Sequence, residues 1–319
     1  MKDTEYATAV ARVRMNENYL LTVEDTERLL TAKSKSEAVA IIVESGLCAR
    51  TQDGDADFSG ALRDMWDIVL GIVPDGEEFA FLLIENDFHN LKTALKATIA
   101  DVDAKSLMLT PSVIDVDLII ESVRSRKFEQ LPDYMSTAAK EAYDLLVSTS
   151  DGQLSDAVLD RAYADSVVKL TEKSSPFLQG LAKLISADCA MRIAVRCAKT
   201  LKDEQFVELS MPKCYDMDRK ELIEAVLKGE SRVAEFLSHT KFDKVALQLE
   251  NGISEFEKAS ENMLIDYCDS AKFTSLGAAP IAAYIIRKKA QIKTARIVVC
   301  CKSAGLDESL IRQRIRKTN

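Results

Sequence analysis

Two different segments of this chain return at intervals of about a hundred residues, and self-similarity at a fixed period means that one structural unit is used more than once. Pro111-Ser112-Val113-Ile114-Asp115-Val116-Asp117 returns as Pro212-Lys213-Cys214-Tyr215-Asp216-Met217-Asp218. In both copies proline sets an extended lead-in, and the second aspartate is expected to cap the helix behind it. Thr22-Val23-Glu24-Asp25-Thr26 introduces a similar helix, expected to run through Leu29, Leu30, Val39 and Ile42, and reads as a divergent first copy.

The other recurring segment appears as Asp87–Lys96, as Asp188–Arg196 and as Gln291–Val299. A basic residue, Lys92, Arg192 or Arg296, stands at the matching place in each. Apolar residues three and four apart make all three segments helical. They are Ile84, Phe88, Leu91, Leu95 and Ile99 in the first, and Leu181, Ile185, Cys189, Ile193, Cys197 and Leu201 in the second. Ile281, Tyr284, Ile292, Ala295 and Val299 mark the third. Sustained alternation of period two is missing, and only 11 glycines and 6 prolines interrupt the chain. The expected fold is all-α, built of three related helical units at 1–106, 107–207 and 208–319. Turn chemistry clusters at Gln52–Gly60, Val73–Gly76, Ser148–Gly152, Ser174–Pro176 and Ser275–Pro280. These loops are short, so the units are expected to pack on one another.

Composition removes several function classes. A net charge of −9 opposes nucleic acid as the main partner, since phosphate binding needs a basic surface. The glycines form no GxG, GxxxxGK[ST] or GxSxG, so neither a phosphate cradle nor a nucleophile elbow is expected, and no nucleotide is expected to bind directly. Two histidines, His89 and His239, leave little scope for a metal site. Asp53-Gly54-Asp55-Ala56-Asp57 imitates the start of a calcium loop, but Phe58 occupies the place of the turning glycine and Asp64 that of the bidentate glutamate. Seven cysteines without a CxxC pair read as reduced thiols, and adjacent Cys300 and Cys301 point to different sides of a helix. An all-α enzyme binding magnesium diphosphate would need paired aspartates, and the chain has no Asp-Asp. No catalytic, cofactor or metal residue is therefore assigned. The charged N-terminus, Met1-Lys2-Asp3-Thr4-Glu5, and the absence of 18 consecutive apolar residues argue against a membrane span.

The same segments carry a family resemblance. Asn86-Asp87-Phe88-His89-Asn90-Leu91-Lys92-Thr93-Ala94-Leu95-Lys96-Ala97, the stretch from Pro280 to Lys289 and on through Arg296-Ile297-Val298, Lys302–Leu306 and Ile311–Ile315, and the opening Tyr6–Arg14 resemble the C subunits of archaeal and bacterial V-type ATPases, a family equivalent to the eukaryotic d subunits. Lys289 and Thr294 depart from the acidic residue and asparagine usual there, and the terminal aromatic is missing. The resemblance implies a non-catalytic, funnel-shaped subunit with pseudo-threefold symmetry, seated peripherally on the cytoplasmic face of the membrane. Its partners would be the central-stalk subunits and the membrane proteolipid ring, and it would couple the two for ATP-linked proton or sodium transport. Lys92, Arg192 and Arg296 would then be candidates to line the funnel or an interface, the alternative being ion pairs within each unit. An unrelated helical scaffold or adaptor is the competing reading.

Overall fold

The computed structural model describes residues 3–317; Met1 and Lys2 of the charged N-terminus lie outside them. Among the described residues there are sixteen α-helices and no strand, only an antiparallel bridge between Arg50 and Ala56. In chain order the helices are α1 (Ala7–Asn16), α2 (Val23–Thr31), α3 (Lys35–Glu44), α4 (Phe58–Ile72), α5 (Ile84–Ala100), α6 (Val116–Ser125), α7 (Asp133–Thr149) and α8 (Gly152–Leu170). They continue with α9 (Pro176–Lys199), α10 (Glu204–Ser210), α11 (Arg219–Lys228), α12 (Glu230–Ser238), α13 (Asp243–Ala246), α14 (Ile253–Asp269), α15 (Ala279–Ser303) and α16 (Glu308–Arg314).

Packing gathers these helices into two compact bodies. One joins the residues up to Gly76 with those from Leu247 onward, and the other is Glu77–Ala246. Compact bodies and sequence repeats divide a chain differently, and here the chain leaves the first body at Gly76 and returns at Leu247. The first body is held by an apolar core in which Leu29, Leu30, Val39 and Ile42 meet Ile292, Ala295, Val298 and Ile311. Burying such side chains stabilises by roughly 1.5–3 kcal/mol each. Polar ties between distant parts of the sequence add to it: Lys302 Nζ donates to Leu30 O at 2.6 Å, and Arg14 reaches the carbonyls of Ala271, Lys272 and Thr274. In the second body α8 packs against α5, α7, α9 and α10, while α9 also carries α11 and α12.

Several sequence expectations shift in detail. The helix expected from Thr22 through Ile42 is two helices. Thr22 and Asp25 close a reciprocal capping box on α2, and the chain then breaks at Ala32, where Ser34 caps α3 through Glu37 N. The Asp-x-Asp markers also divide. Asp218 caps α11 as expected, but α6 is capped by the first aspartate of its marker, Asp115, because Asp87 holds the chain at Val113 and Ile114 and the helix starts directly behind that anchor. In α9 the row of apolar residues four apart does not stay buried. Cys189 and Ile193 are half-buried, Cys197 is buried again, and Leu201, two residues past the end of α9 in a left-handed conformation, is 85% exposed. Ile99 of α5 is likewise exposed. Ser59 and Gly60, expected in a loop, lie in the first turn of α4 behind the Asp57 cap, and Ser148 belongs to α7.

Three helix ends about a hundred residues apart share one geometry, which the end of α6 at Arg126 also adopts. Helices α5, α9 and α15 each stop before a residue in the left-handed region: Asp101 (φ 53°), Leu201 (φ 52°) and Gly305 (φ 69°). The next N–H reaches back five residues in every case, from Val102 to Ala97 O at 3.0 Å, from Lys202 to Cys197 O at 3.1 Å and from Leu306 to Cys301 O at 3.0 Å. This is the six-to-one hydrogen bond of a Schellman terminus. Two residues after each left-handed position stands an aspartate, Asp103, Asp203 or Asp307, which opens a short helical segment at 105–107, α10 or α16. The left-handed residues lie nine positions beyond Lys92, Arg192 and Arg296, so backbone geometry repeats in the register of the side-chain markers.

Candidate functional site

The three marker cations divide between the two bodies. Lys92 on α5 and Arg192 on α9 belong to the second, Arg296 on α15 to the first. In the second body Lys92 pairs with Asp160 of α8, and one turn along Lys96 Nζ meets Asp156 Oδ2 at 2.6 Å, forming a two-rung ladder between α5 and α8. Arg192 Nε donates to Asp188 Oδ1 at 2.9 Å within α9, both groups being mostly covered. Tyr163 of α8 and Cys189 of α9 sit among these charges. Desolvation raises the Tyr163 hydroxyl well above its ordinary range, with Glu85, Cys189 and Asp188 adding to it and Arg192 opposing. The Cys189 thiol is raised for the same leading reason, and Asp188, Glu85 and Asp160 act on it as well. Lys92 and Arg192 thus flank one seam between α5, α8 and α9, covered at Asp188 and half-exposed at Asp160, in which each has an acidic neighbour. The Arg296 guanidinium lies 5.5 Å from the centre of the Phe58 ring, a cation–π contact on α4.

Sequence reading missed a set of polar side chains on the same marker helices, and these grip main chain. Asn90 holds both groups of Leu109, accepting from its N at 2.7 Å and donating to its O at 3.0 Å. Asn86 donates to Pro111 O at 2.8 Å, and Asp87 Oδ1 accepts from Val113 N at 3.0 Å and Ile114 N at 3.2 Å. Asn86, Asp87 and Asn90 are polar members of the Asn86–Ala97 motif, so the most distinctive stretch of sequence is a clamp on the lead-in to α6. Burial pushes the Asp87 carboxyl up to about 6 against the pull of its two N–H donors. Tyr134 is electrostatically coupled to it, but Asp87 Oδ2 and Tyr134 Oη are both buried without a well-formed hydrogen bond.

Helix α15 does the same in the first body. Gln291 occupies the register of Asp87 and holds both main-chain groups of Leu21, accepting from N at 2.6 Å and donating to O at 3.1 Å. Leu21 immediately precedes the Thr22 cap of α2, as Ile114 precedes the Asp115 cap of α6. Two cations are buried nearby. Arg287 meets Asp269 at 2.8 Å, and Lys288 donates to Leu47 O at 3.0 Å, its pKa pulled down to about 8 by desolvation. The signal in the sequence was a polar residue where the apolar face of a helix demands a hydrophobic one.

The remaining candidates are ordinary structure. His89 and His239 are exposed. Asp57 of the calcium-like stretch caps α4 through Gly60 N, and Asp55 pairs with Lys35. Among the described residues no three His, Cys, Asp or Glu side chains are grouped to hold a metal ion, and no helix is long and apolar enough to cross a membrane. Cys300 is exposed and Cys301 buried, as divergent adjacent helix positions require.

The C subunit of the V-type sodium ATPase of Enterococcus hirae is 18% identical to the chain over 324 aligned residues, covering 98% of each protein. The C subunit of the A-type ATP synthase of Haloquadratum walsbyi is 29% identical over 100 residues, 31% of this chain and 27% of that one. With residues 9–314 matching as a single stretch, the chain belongs to the ATP synthase (C/AC39) subunit family.

Proposed function

We propose that this protein is the non-catalytic coupling subunit of a rotary V- or A-type ATPase, placed between the central stalk and the membrane proteolipid ring on the cytoplasmic side. The observation that carries the reading is the end-to-end correspondence with the C subunit of a V-type sodium ATPase, 98% of both chains. The complex would perform the ATP-linked movement of protons or sodium, and this subunit would transmit torque.

The stiffness of the helix ends supports that role. A torque-bearing body must not fray where helices meet, and here the main chain between helices is gripped by Asn90, Asp87 and Gln291. The repeated left-handed termini at Asp101, Leu201 and Gly305 support three units at 1–106, 107–207 and 208–319, which as a pseudo-threefold funnel would receive a stalk at the centre. Lys92, Arg192 and Arg296 would contribute as part of the wall. Since Lys92 and Arg192 already have carboxylate neighbours, their part in an interface would be to exchange those neighbours for acidic groups of a partner.

The test is co-elution of the purified protein with the central-stalk subunits and, separately, with the detergent-solubilised ring of the same source. Retention by both is expected. Retention by neither, with the protein helical and monodisperse, overturns the reading in favour of an unrelated scaffold. Lys92→Gln, which removes charge from a half-exposed pair, should weaken retention while the melting profile stays near that of the wild type, and Arg192→Gln should weaken retention but also lower the melting temperature, because it takes a cation from buried Asp188. An equal loss of thermal stability would assign both cations to the fold alone.

A further inference from the structure

Large apolar side chains stand exposed at scattered places on this protein, as on any soluble surface, except in one stretch. Between Ile99 and Leu118, within twenty residues, Ile99, Val102, Leu107, Leu109, Val113 and Leu118 are all exposed, Val102 and Leu107 by 57% and 59%. Among the described residues the stretches after α9 and α15 expose Leu201 and Tyr215, and Leu310, and the lead-in to α2 exposes Met15, Tyr19 and Val23. The concentration is heaviest in residues 99–118, with six such side chains against three or fewer in each counterpart.

This stretch is also the one whose main chain is gripped by Asn86, Asp87 and Asn90. Apolar side chains on a loose connection would collapse onto the nearest core. Here the backbone at Leu109, Pro111, Val113 and Ile114 is fixed, so the side chains are presented to solvent in a set arrangement. A surface ordered in advance loses little conformational entropy when a partner covers it.

Charge says what kind of partner fits. Asp101, Asp103, Asp115 and Asp117 are exposed in the same stretch, against one cation, Lys105, which is already bridged to Asp117 at 2.7 Å. An acidic rim repels nucleic acid and anionic lipid and attracts lysine and arginine. We infer that residues 99–118 form a docking surface for a segment of a partner protein whose apolar face is edged by basic residues. The inference rests on the coupling role, in which the partner is another member of the rotary complex. Because a single repeat carries the surface, it takes one segment, and it would fix the angular position of a threefold-repeated protein against an asymmetric neighbour.

The experiment compares three full-length proteins: the wild type, Val102→Ser/Leu107→Ser and Asp101→Lys/Asp117→Lys. Each is titrated against the purified central-stalk subunits, the solubilised ring and vesicles of anionic phospholipid, with circular dichroism and melting as folding controls. Both variants are expected to bind the stalk or the ring at least about tenfold more weakly than wild type, as loss of central interface contacts does. Wild-type binding should also weaken as salt rises. The charge variant leaves the apolar residues in place, so it carries the test if the serine variant folds poorly. Binding by both variants equal to wild type overturns the docking surface and leaves the coupling role standing. A wild type that binds neither preparation removes the coupling role and this inference with it, and vesicle binding abolished in the serine variant would replace the protein partner by lipid.

Discussion

Leu201 closes α9 in the same left-handed conformation in which Gly305 closes α15, at φ 52° and 69°. The geometry suits the second far better than the first. A side chain at a left-handed position brings Cβ against the following carbonyl at roughly 1–2 kcal/mol, a cost glycine does not carry. Leu201 is 85% exposed, so its side chain recovers nothing by packing. Leu201→Gly should therefore stabilise the protein by about 0.5–1 kcal/mol after allowing for the extra freedom of glycine in the unfolded chain. Differential scanning calorimetry should register a rise of about 1–3 °C. The reciprocal Gly305→Leu, where no neighbouring atom crowds the place a Cβ would take, should lower stability by a similar amount through the backbone alone. An unchanged midpoint in both would mean that the left-handed turn is not shared.

Gln291 holds both main-chain groups of a single residue, Leu21, from the far end of the sequence. Leu21 and Gln291 are both buried, so water cannot replace the bonds. Gln291→Leu keeps the volume and removes both of these buried hydrogen bonds, at up to about 1.5 kcal/mol each. A loss of about 3 kcal/mol in urea unfolding is expected on that basis, with early amide exchange at the start of α2. A loss below about 1 kcal/mol, the size of one ordinary hydrogen bond, would show that the lead-in is held by packing alone.

The helical class was legible because it rests on local rules: apolar spacing and scarce glycine. The break before α3 and the early start of α4 follow from local caps, Ser34 and Asp57, that apolar spacing passes over, but the cap of α6 is decided by a distant side chain. Asp115 rather than Asp117 caps α6 because Asp87, 28 residues earlier, pins the chain just before it. Nothing local to the Pro111 marker contains that information. The same holds for the cations: spacing found Lys92, Arg192 and Arg296, but the neighbours Asp160 and Phe58 lie on other helices and become visible only after folding. The grip of Asn86, Asp87 and Asn90 was present in the sequence as polar residues on an apolar helix face, a pattern whose target cannot be read from the helix itself.

Asp87 gives the second body a pH dependence of definite sign. Its carboxyl rises to about 6 in the folded protein from an ordinary 3.8, with desolvation the leading cause. Between those values the folded state holds a proton that the unfolded state has released, so stability falls as pH rises through the window. The charged form costs roughly 3 kcal/mol above pH 6. Asp87→Asn keeps an acceptor for Val113 N and Ile114 N and removes the charge. Its melting temperature relative to wild type should increase between about pH 4 and 6, the window in which the folded protein holds a proton that the unfolded chain has released, whereas Asp87→Ala should be destabilised at every pH by the loss of both hydrogen bonds. A flat difference between Asn and wild type across that range would mean that the carboxylate is hydrated.

Lys288 carries the opposite sign in the first body. Desolvation lowers its pKa from 10.5 to about 8, with Cys48 and Asp64 pulling weakly the other way, and its ammonium donates to Leu47 O. Below about pH 8 the lysine is charged in both states, and holding that charge inside the fold costs roughly 3 kcal/mol. Between about 8 and 10.5 the folded state has released its proton while the unfolded state keeps one, so this cost fades as pH rises. Lys288→Met retains the stem and removes the ammonium, at the expense of about 1 kcal/mol for the bond to Leu47. At about pH 7 the variant should be more stable than wild type by about 1–2 kcal/mol, and at about pH 9.5 the advantage should have largely gone. Because α15 also carries the Gln291 grip, a gain near neutral pH together with weaker binding to the stalk or ring would mean that the buried charge is kept for assembly rather than for the fold. A variant less stable than wild type at both pH values would instead show that the Leu47 contact outweighs the cost of burying the ammonium.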